Sequence, residues 1–242
     1  MKLGIFSDVH GNLEAFEAVL GFLREQGVAE HACCGDIVGY GPDPHACIER
    51  MKSLGAAVVA GNHDCGVVGR VDPADFNAAA RNALEWTSGQ LTEDDLAYLG
   101  SLPFTRQFGS FFLVHASPSA PERWGYVLAV REAEEEMEYF PSVGCVIGHS
   151  HYPFVVERRP GEPSRLLDDS CFVMRPDSKY VINAGSVGQP RDGDPRACCL
   201  IQDTETGAVA FHRVDYSISK VQAKMTRAGL PGFLIDRLSL GR

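Results

Sequence analysis

The sequence predicts a mixed α/β (α+β) protein in which two sheets pack together and helices lie outside them. Five short apolar runs, rich in Val, Ile, Phe and Cys and bounded by Gly, are typical of buried strands. Segments in which apolar residues recur at helical spacing separate the first three of these runs. The C-terminal third instead has short runs broken by Pro, Gly and Asp, which indicates antiparallel strands. No low-complexity linker or internal repeat divides the 242 residues, so we expect one domain over residues 1–242.

Helix start and stop signals separate the strand runs. Asn12 precedes apolar residues at helical spacing and is a candidate N-cap, while Gly27 is a candidate stop. Further helices are predicted at 47–54, from Asp72-Pro73 to about Trp86, from the capping-box sequence at Thr92 to before Pro103, at 127–139, and after Ser217. Near the C-terminus, ACCLIQD and GAVAFHRV are two strands of an expected hairpin.

Composition narrows the class of protein. The formal net charge is −10 and no cluster of Lys and Arg stands out, so we expect no nucleic-acid polymer as the partner. The sequence contains no apolar run of about 18 residues, so no transmembrane helix is predicted and no membrane partner is expected. The N-terminus lacks the features of a signal peptide, so the expected location is cytoplasmic. The eight Cys lack CxxC spacing and are expected to be buried, reduced thiols, with a structural zinc site or a redox pair as the alternative.

Each of the five apolar runs ends on residue types that bind metal ions. The runs lead into Asp8-Val-His10, Gly35-Asp36, Gly61-Asn62-His63-Asp64, His115 and His149-Ser150-His151. Since ligands of open α/β sheets gather beyond the carboxyl ends of the strands, these side chains are expected to meet in one cleft. Singly, an Asp or Asn there is also compatible with a simple turn. Carboxylate, imidazole and amide donors without a thiolate favour Mn, Fe, Ni, Zn or Mg over a closed structural zinc site.

These five motifs, in this order, resemble the calcineurin-like metallophosphoesterases over residues 8–151. The stretches GDIVGYGPDP and NAGSVGQPRDGDPRA are similar to the small bacterial and archaeal phosphodiesterase branch of that superfamily. The resemblance implies a four-layer α/β/β/α sandwich of two mixed sheets flanked by helices. It also implies a site with two divalent metal ions, bridged by Asp36. The first ion would be held by Asp8, His10 and His151, and the second by Asn62, His115 and His149.

The resemblance assigns His63 as the catalytic residue, which would neutralise charge on the phosphate or donate a proton to the leaving group. A structural role in the turn is the alternative. Protein phosphatases of the superfamily carry Gly-Asp-x-x-Asp-Arg-Gly, whereas this chain has Gly39 and Tyr40 in place of the second Asp and the Arg. A His–Asp dyad and a phosphoprotein substrate are therefore not expected.

The sequence thus predicts a metal-dependent phosphoric ester hydrolase in which a metal-bridging hydroxide attacks small phosphodiesters, nucleotide-type esters among them. A phosphomonoesterase or protein phosphatase of the same superfamily, and a non-catalytic scaffold on this fold, are the alternatives. Arg191 and Tyr40 are candidate substrate contacts, and Arg196 is either another or a partner in a surface ion pair. Trp124 and Tyr126 follow His115 in a loop that either covers the cleft and stacks on a base, or serves core packing or a subunit contact. The oligomeric state, including a homo-oligomer, stays open, and the remaining His (His31, His45 and His212) are expected to be structural.

Overall fold

Twelve strands and eight helices make up the computed structural model, which describes all residues 1–242. The strands are β1 (Lys2–Phe6), β2 (Glu30–Cys33), β3 (Ala57–Val58), β4 (Thr105–Phe108), β5 (Phe111–Val114), β6 (Gly144–Ile147), β7 (Phe154–Arg158), β8 (Arg165–Leu166), β9 (Cys171–Val173), β10 (Lys179–Asn183), β11 (Ala197–Asp203) and β12 (Ala208–Val214). The helices are α1 (Leu13–Glu25), α2 (Pro44–Leu54), α3 (Asn62–Val67), α4 (Ala78–Ser88), α5 (Glu93–Ser101), α6 (Val130–Glu136), α7 (Ile218–Arg227) and α8 (Gly232–Asp236).

The strands form two six-stranded mixed sheets. The first has the order β3-β2-β1-β11-β12-β9 and the second has the order β4-β5-β6-β10-β7-β8. Strands β1, β2 and β3 are parallel to one another, as are β5, β6 and β10, while β11 and β12 form the expected antiparallel hairpin. The predicted α/β sandwich of two mixed sheets flanked by helices is confirmed.

Helix caps follow the sequence signals closely. The Asn12 side chain accepts a hydrogen bond from the Ala15 N–H at the start of α1, and Thr92 forms the predicted capping box of α5. The helix predicted from Asp72-Pro73 is wrong at its start. Asp72 caps a separate 3-10 turn at Pro73–Asp75, extended backbone follows at Phe76, and α4 begins only after Asn77, which caps it. Helix α6 is also shorter than the predicted 127–139.

Apolar side chains fill the space between the sheets and beneath the helices. A cluster of 17 buried residues includes Leu3 and Ile5 from the first sheet and Leu113 and Val146 from the second. A second cluster of 22 residues packs α1 and α2 on the outer face of the first sheet. Because successive strand side chains alternate, Cys33 belongs to the outer cluster and its neighbour Cys34 to the inner one.

All eight Cys are free thiols and seven are buried, as predicted. The prediction is wrong for Cys171, which is exposed because it lies on β9, the edge strand of the first sheet. None of the helices combines the length and apolar character that crossing a bilayer requires.

Candidate metal centre

The eight polar residues predicted from the strand ends lie together where the parallel strands of both sheets terminate. Asp8 and His10 follow β1, and Asp36 follows β2. After β3, Asn62 and His63 open α3. From the second sheet, His115 follows β5, and His149 and His151 follow β6. The site therefore draws on three strands of one sheet and two of the other.

One group of donor atoms comprises the side chains of Asp8, His10 and His151. The Nε2 atoms of the two His are 3.0 Å apart. Asp8 Oδ1 lies 3.2 Å from His151 Nε2 and 3.6 Å from His10 Nε2. All three residues are buried, so their donor atoms converge on a common point away from bulk water.

A second group surrounds His115 Nε2. That atom lies 3.3 Å from Asp36 Oδ2, 3.1 Å from Asn62 Oδ1 and 3.2 Å from His149 Nδ1. Asp36 Oδ2 is also 3.6 Å from His10 Nε2 in the first group. Asp36 thus lies between the two groups: it belongs to the second and, together with His63, forms a further group with His10 of the first.

Backbone carbonyls fix which nitrogen of three imidazoles carries the proton. Nδ1–H of His10 donates to Val38 O at 3.0 Å, that of His115 to Cys34 O at 2.7 Å, and that of His151 to Gln189 O at 2.6 Å. In the neutral rings, Nε2 is then an unprotonated acceptor aimed at the centre of the site. This arrangement orients imidazoles for metal binding.

The donor set fits divalent cations. The Nε2 atoms of His10 and His151 are 3.0 Å apart, and because Nδ1 of each ring donates to a backbone carbonyl, a cation between the two Nε2 atoms would relieve this close approach. The buried Asp8 Oδ1 has no hydrogen-bond donor, although buried polar atoms nearly always have a partner. The amide oxygen of Asn62 and the two carboxylates add hard oxygen donors to the imidazoles, which suits Mn, Fe, Ni, Zn or Mg.

Charges within the protein keep both carboxylates ionised. Burial raises the pKa of Asp8, but His151, His10 and His115 lower it more, so the net pKa is well below the usual range. The pKa of Asp36 is likewise lowered, because His115 and other imidazoles outweigh burial. Burial lowers the pKa of His149 to about 4 and that of His151 to about 3, which favours neutral rings at physiological pH. Burial also lowers the pKa of His115, but Asp36 raises it more, to about 9.

Unusual backbone conformations are concentrated here. All seven non-glycine residues with positive φ lie in or beside the cleft: Asp8, His10, Asp36, Tyr40, Trp124, His149 and His151. Such a conformation costs on the order of 1–2 kcal/mol for an L-residue. Glycine is required next to the carboxylates, since a Cβ at Gly61 would lie 2.1 Å from Asp36 Oδ1 and one at Gly148 would lie 2.3 Å from Asp8 Oδ2.

His63 lies beside this site with an unpartnered ring nitrogen. Its backbone N–H donates to Asp36 Oδ1 at 2.8 Å, and its ring contacts those of Tyr40 and Phe76, with centroids 4.4 and 5.1 Å away. The buried Nδ1 has no hydrogen-bond partner. A Cβ at Gly39 would lie 2.4 Å from it, so the position where protein phosphatases carry their second Asp does face His63. Aromatic rings therefore hold this imidazole, and no carboxylate orients it through Nδ1.

Comparison with known proteins identifies the family. The model of the calcineurin-like phosphoesterase superfamily domain matches residues 1–207. The chain belongs to the calcineurin-like phosphoesterase superfamily. It is 37% identical to an uncharacterized protein of Methanocaldococcus jannaschii over 99% of this chain and 98% of that protein.

Solved structures agree with that placement. A metallophosphoesterase from Sphaerobacter thermophilus is 41% identical, with a TM-score of 0.86, and the match covers 100% of this chain and 99% of that one. A hypothetical protein from Pyrococcus horikoshii has the same fold, with a TM-score of 0.79 at 23% identity over 100% of this chain and 98% of that one. Membership of the superfamily implies a hydrolase that acts on phosphoesters, and the family is metal-dependent.

In this calcineurin-like chain, a cleft of about 290 Å³ opens above the donor groups. Of the residues predicted to contact substrate, Arg191 and Tyr40 line it, and so do Trp124 and Tyr126. Arg196 lies elsewhere and forms an ion pair with Asp194 at 2.6 Å. Three His outside the motifs do not line the cleft: His31, His45 and His212.

Several other residues around the calcineurin-like site were not predicted as functional from the sequence. Phe76 and Arg123 line the cleft from loops whose path no motif predicts. Asp64 was visible only as part of Gly-Asn-His-Asp, yet it accepts hydrogen bonds from the N–H groups of Ile37, Val38 and Gly61. It thereby ties the loop after β2 to the start of α3. Its acidic side chain at the third helical position is the signal that could have predicted this capping role.

Proposed function

We propose that this protein is a dinuclear metal-dependent phosphodiesterase that hydrolyses small phosphodiesters. The observation that carries the proposal is the pair of donor groups linked by Asp36 at the floor of a cleft with aromatic walls. Shared carboxylates are a means of holding two cations close together, and paired cations suit in-line displacement at phosphorus.

In this proposal Asp8, His10 and His151 hold one ion, and Asn62, His115 and His149 hold the other. Asp36 contributes to both. Its Oδ2 faces His10 and His115, while its Oδ1 accepts the His63 N–H, so the carboxylate is fixed in orientation. When bound, the ions would lower the pKa of a coordinated water and offset negative charge on the phosphate.

The residues of the chain supply positioning and proton transfer. His63 lies next to Asp36 and lines the cleft, within a cage formed by Tyr40 and Phe76. We assign it to hydrogen bonding with a phosphate oxygen or with the leaving oxygen. Because burial lowers the pKa of His63 well below its usual value, proton donation from it depends on the negative charge of the bound phosphate.

The walls of the cleft favour a diester over a monoester. Tyr40 and Phe76 line the His63 side, and Trp124 and Tyr126 line the His149 side. A diester carries an organic group on each side of phosphorus and only one negative charge, whereas a monoester dianion gains more from cationic side chains. Tyr40 takes the place of an Arg here, which leaves Arg191 as the cation beside it, with its guanidinium 5.8 Å from the Tyr40 ring.

Turnover of a matched pair of substrates tests this proposal. The protein is loaded with Mn²⁺ and assayed with bis-p-nitrophenyl phosphate and p-nitrophenyl phosphate, which share a leaving group. We expect a higher kcat/KM for the diester and loss of both activities in chelator. A higher kcat/KM for the monoester would replace the proposal with a phosphomonoesterase. Inactivity toward both, with two ions bound by elemental analysis, would instead support a non-catalytic scaffold.

A further inference from the structure

The loop after β5 brings an exposed aromatic ring to the cleft. Tyr126 stacks on the His149 ring with centroids 4.2 Å apart and planes inclined by 23°. It nevertheless keeps 53% of its surface exposed and lines the cleft. One face of the ring is therefore in contact with a candidate metal ligand, and the other is free to stack on a planar group.

Trp124 provides a second aromatic surface beside Tyr126. It is held in a left-handed backbone conformation, at φ 56°, immediately after a 3-10 turn at Pro121–Arg123. Its ring makes edge contacts with Phe104 at 5.9 Å and His115 at 6.0 Å, which fix its position against the protein. The cleft thus has a rigid aromatic corner at its His149 end.

Two cations without acidic partners line the same cleft. Arg123 forms no ion pair, and the guanidinium of Arg191 donates to Gln189 Oε1 and to no carboxylate. Arg123 directly precedes Trp124 in the chain. An anionic group next to a planar one would therefore meet both a free guanidinium and an aromatic surface.

We infer that the corner formed by Arg123, Trp124 and Tyr126 binds the base of a nucleotide-type phosphodiester. This inference rests on the proposed function and narrows its substrate class. A nucleobase offers a flat π-face of the size of a Tyr or Trp ring, and stacking on aromatic side chains tolerates different bases. An aryl group could use the same surface, so the test separates the two.

Three diesters with a common p-nitrophenolate leaving group provide the test: the p-nitrophenyl esters of thymidine 5′-phosphate, phenyl phosphate and methyl phosphate. We expect kcat/KM for the thymidine ester to exceed that for the methyl ester by about tenfold or more, mainly through KM. It should also exceed that for the phenyl ester. Equal values for thymidine and phenyl would overturn the nucleobase assignment in favour of an aryl group. Equal values for thymidine and methyl would overturn the stacking site itself.

Substitutions of Tyr126 test whether this residue causes the preference for the thymidine ester over the methyl ester. Tyr126→Ala should bring the thymidine-to-methyl ratio close to one, while Tyr126→Phe, which keeps the ring, should retain it. Tyr139→Ala is the matched control, since Tyr139 is 59% exposed and lies outside the cleft, and it should leave the ratio unchanged. A ratio that Tyr126→Ala leaves intact would overturn the inference with diester hydrolysis still standing. No turnover of any ester by the Mn²⁺-loaded protein would overturn the proposed function as well.

Discussion

Asp36 and Glu157 are both buried carboxylates, 1% and 3% exposed, but their surroundings differ. Glu157 lies in the regular strand β7. It accepts hydrogen bonds from the Tyr180 hydroxyl at 2.8 Å and from the guanidinium groups of Arg159 and Arg165. Asp36 lies on a strained loop, and its side chain faces imidazoles and one backbone N–H.

The difference separates a structural polar cluster from a binding site. Around Glu157, the protein's own cations balance the buried charge, so nothing further is needed. Around Asp36 and Asp8, the partners are imidazoles: Asp36 outweighs burial and raises the pKa of His115 to about 9, burial lowers the pKa of His149 and His151, and the buried Asp8 Oδ1 has no hydrogen-bond donor. A buried charge is costly unless it is paired, so a cationic ligand would stabilise the second cluster.

Asp36→Asn should produce the largest effect, because it removes the charge that both donor groups share. We expect loss of bound metal and a fall in activity on the order of 10³-fold or more. Elemental analysis measures the bound metal, and diester turnover measures the activity. Asp95→Asn is the control. Asp95 is also buried, but it lies away from the cleft and pairs with His45, with Nδ1 and Oδ2 2.7 Å apart. Unchanged metal content and turnover in Asp36→Asn would contradict the assignment of the site.

His63→Ala should separate metal binding from turnover. Because the donor groups do not need this ring, the metal content should stay at the wild-type value while kcat falls by roughly 10²-fold or more. Titration of the metal-free variant with Mn²⁺ alongside steady-state kinetics provides the comparison. Loss of metal affinity would show that His63 is a ligand, which the closeness of His10, Asp36 and His63 would then explain.

Glu157→Gln should behave in the opposite way and affect stability alone. Removing the charge weakens hydrogen bonds from two guanidinium groups that are partly exposed, so we expect a decrease of about 2 kcal/mol in the free energy of unfolding. Urea denaturation measures it, and Glu162→Gln, which changes an exposed partner of Arg159, is the matched control. A large loss of turnover in folded Glu157→Gln protein would contradict the assignment of the Glu157 cluster to a purely structural role.

The smallest expected effect is the pH dependence of the difference in unfolding free energy between wild type and Glu157→Gln. Burial raises the pKa of Glu157, but hydrogen bonds from Arg165, Tyr180 and Arg159 lower it more, and the net pKa is below the ordinary value of 4.5. A lowered folded-state pKa stabilises the protein above the unfolded value, and this contribution is lost as pH falls through the folded one. The gap in unfolding free energy between wild type and Glu157→Gln should therefore narrow below about pH 4.5. A gap that widens there would contradict the assigned direction.

Sequence patterns predicted the donor cluster because each donor follows a strand, and strand ends meet at a common edge. The two-sheet sandwich followed from the same runs and from the C-terminal hairpin. The aromatic walls were harder to predict, since Phe76 reaches the cleft through the extended backbone between the 3-10 turn and α4, where the sequence indicated a continuous helix. The carbonyls of Val38, Cys34 and Gln189 that orient the imidazoles carry no side-chain signal at all.

The distance along the chain between Asp8 and His151 has a consequence for biosynthesis. These residues meet at 3.2 Å, and β1 also requires β11 as a neighbour. At roughly 5–20 residues per second, a ribosome needs on the order of 10 s to add the intervening segment. A nascent chain therefore cannot assemble the first donor group until residue 151 has been translated, and any cation held by that group would be captured only after this point.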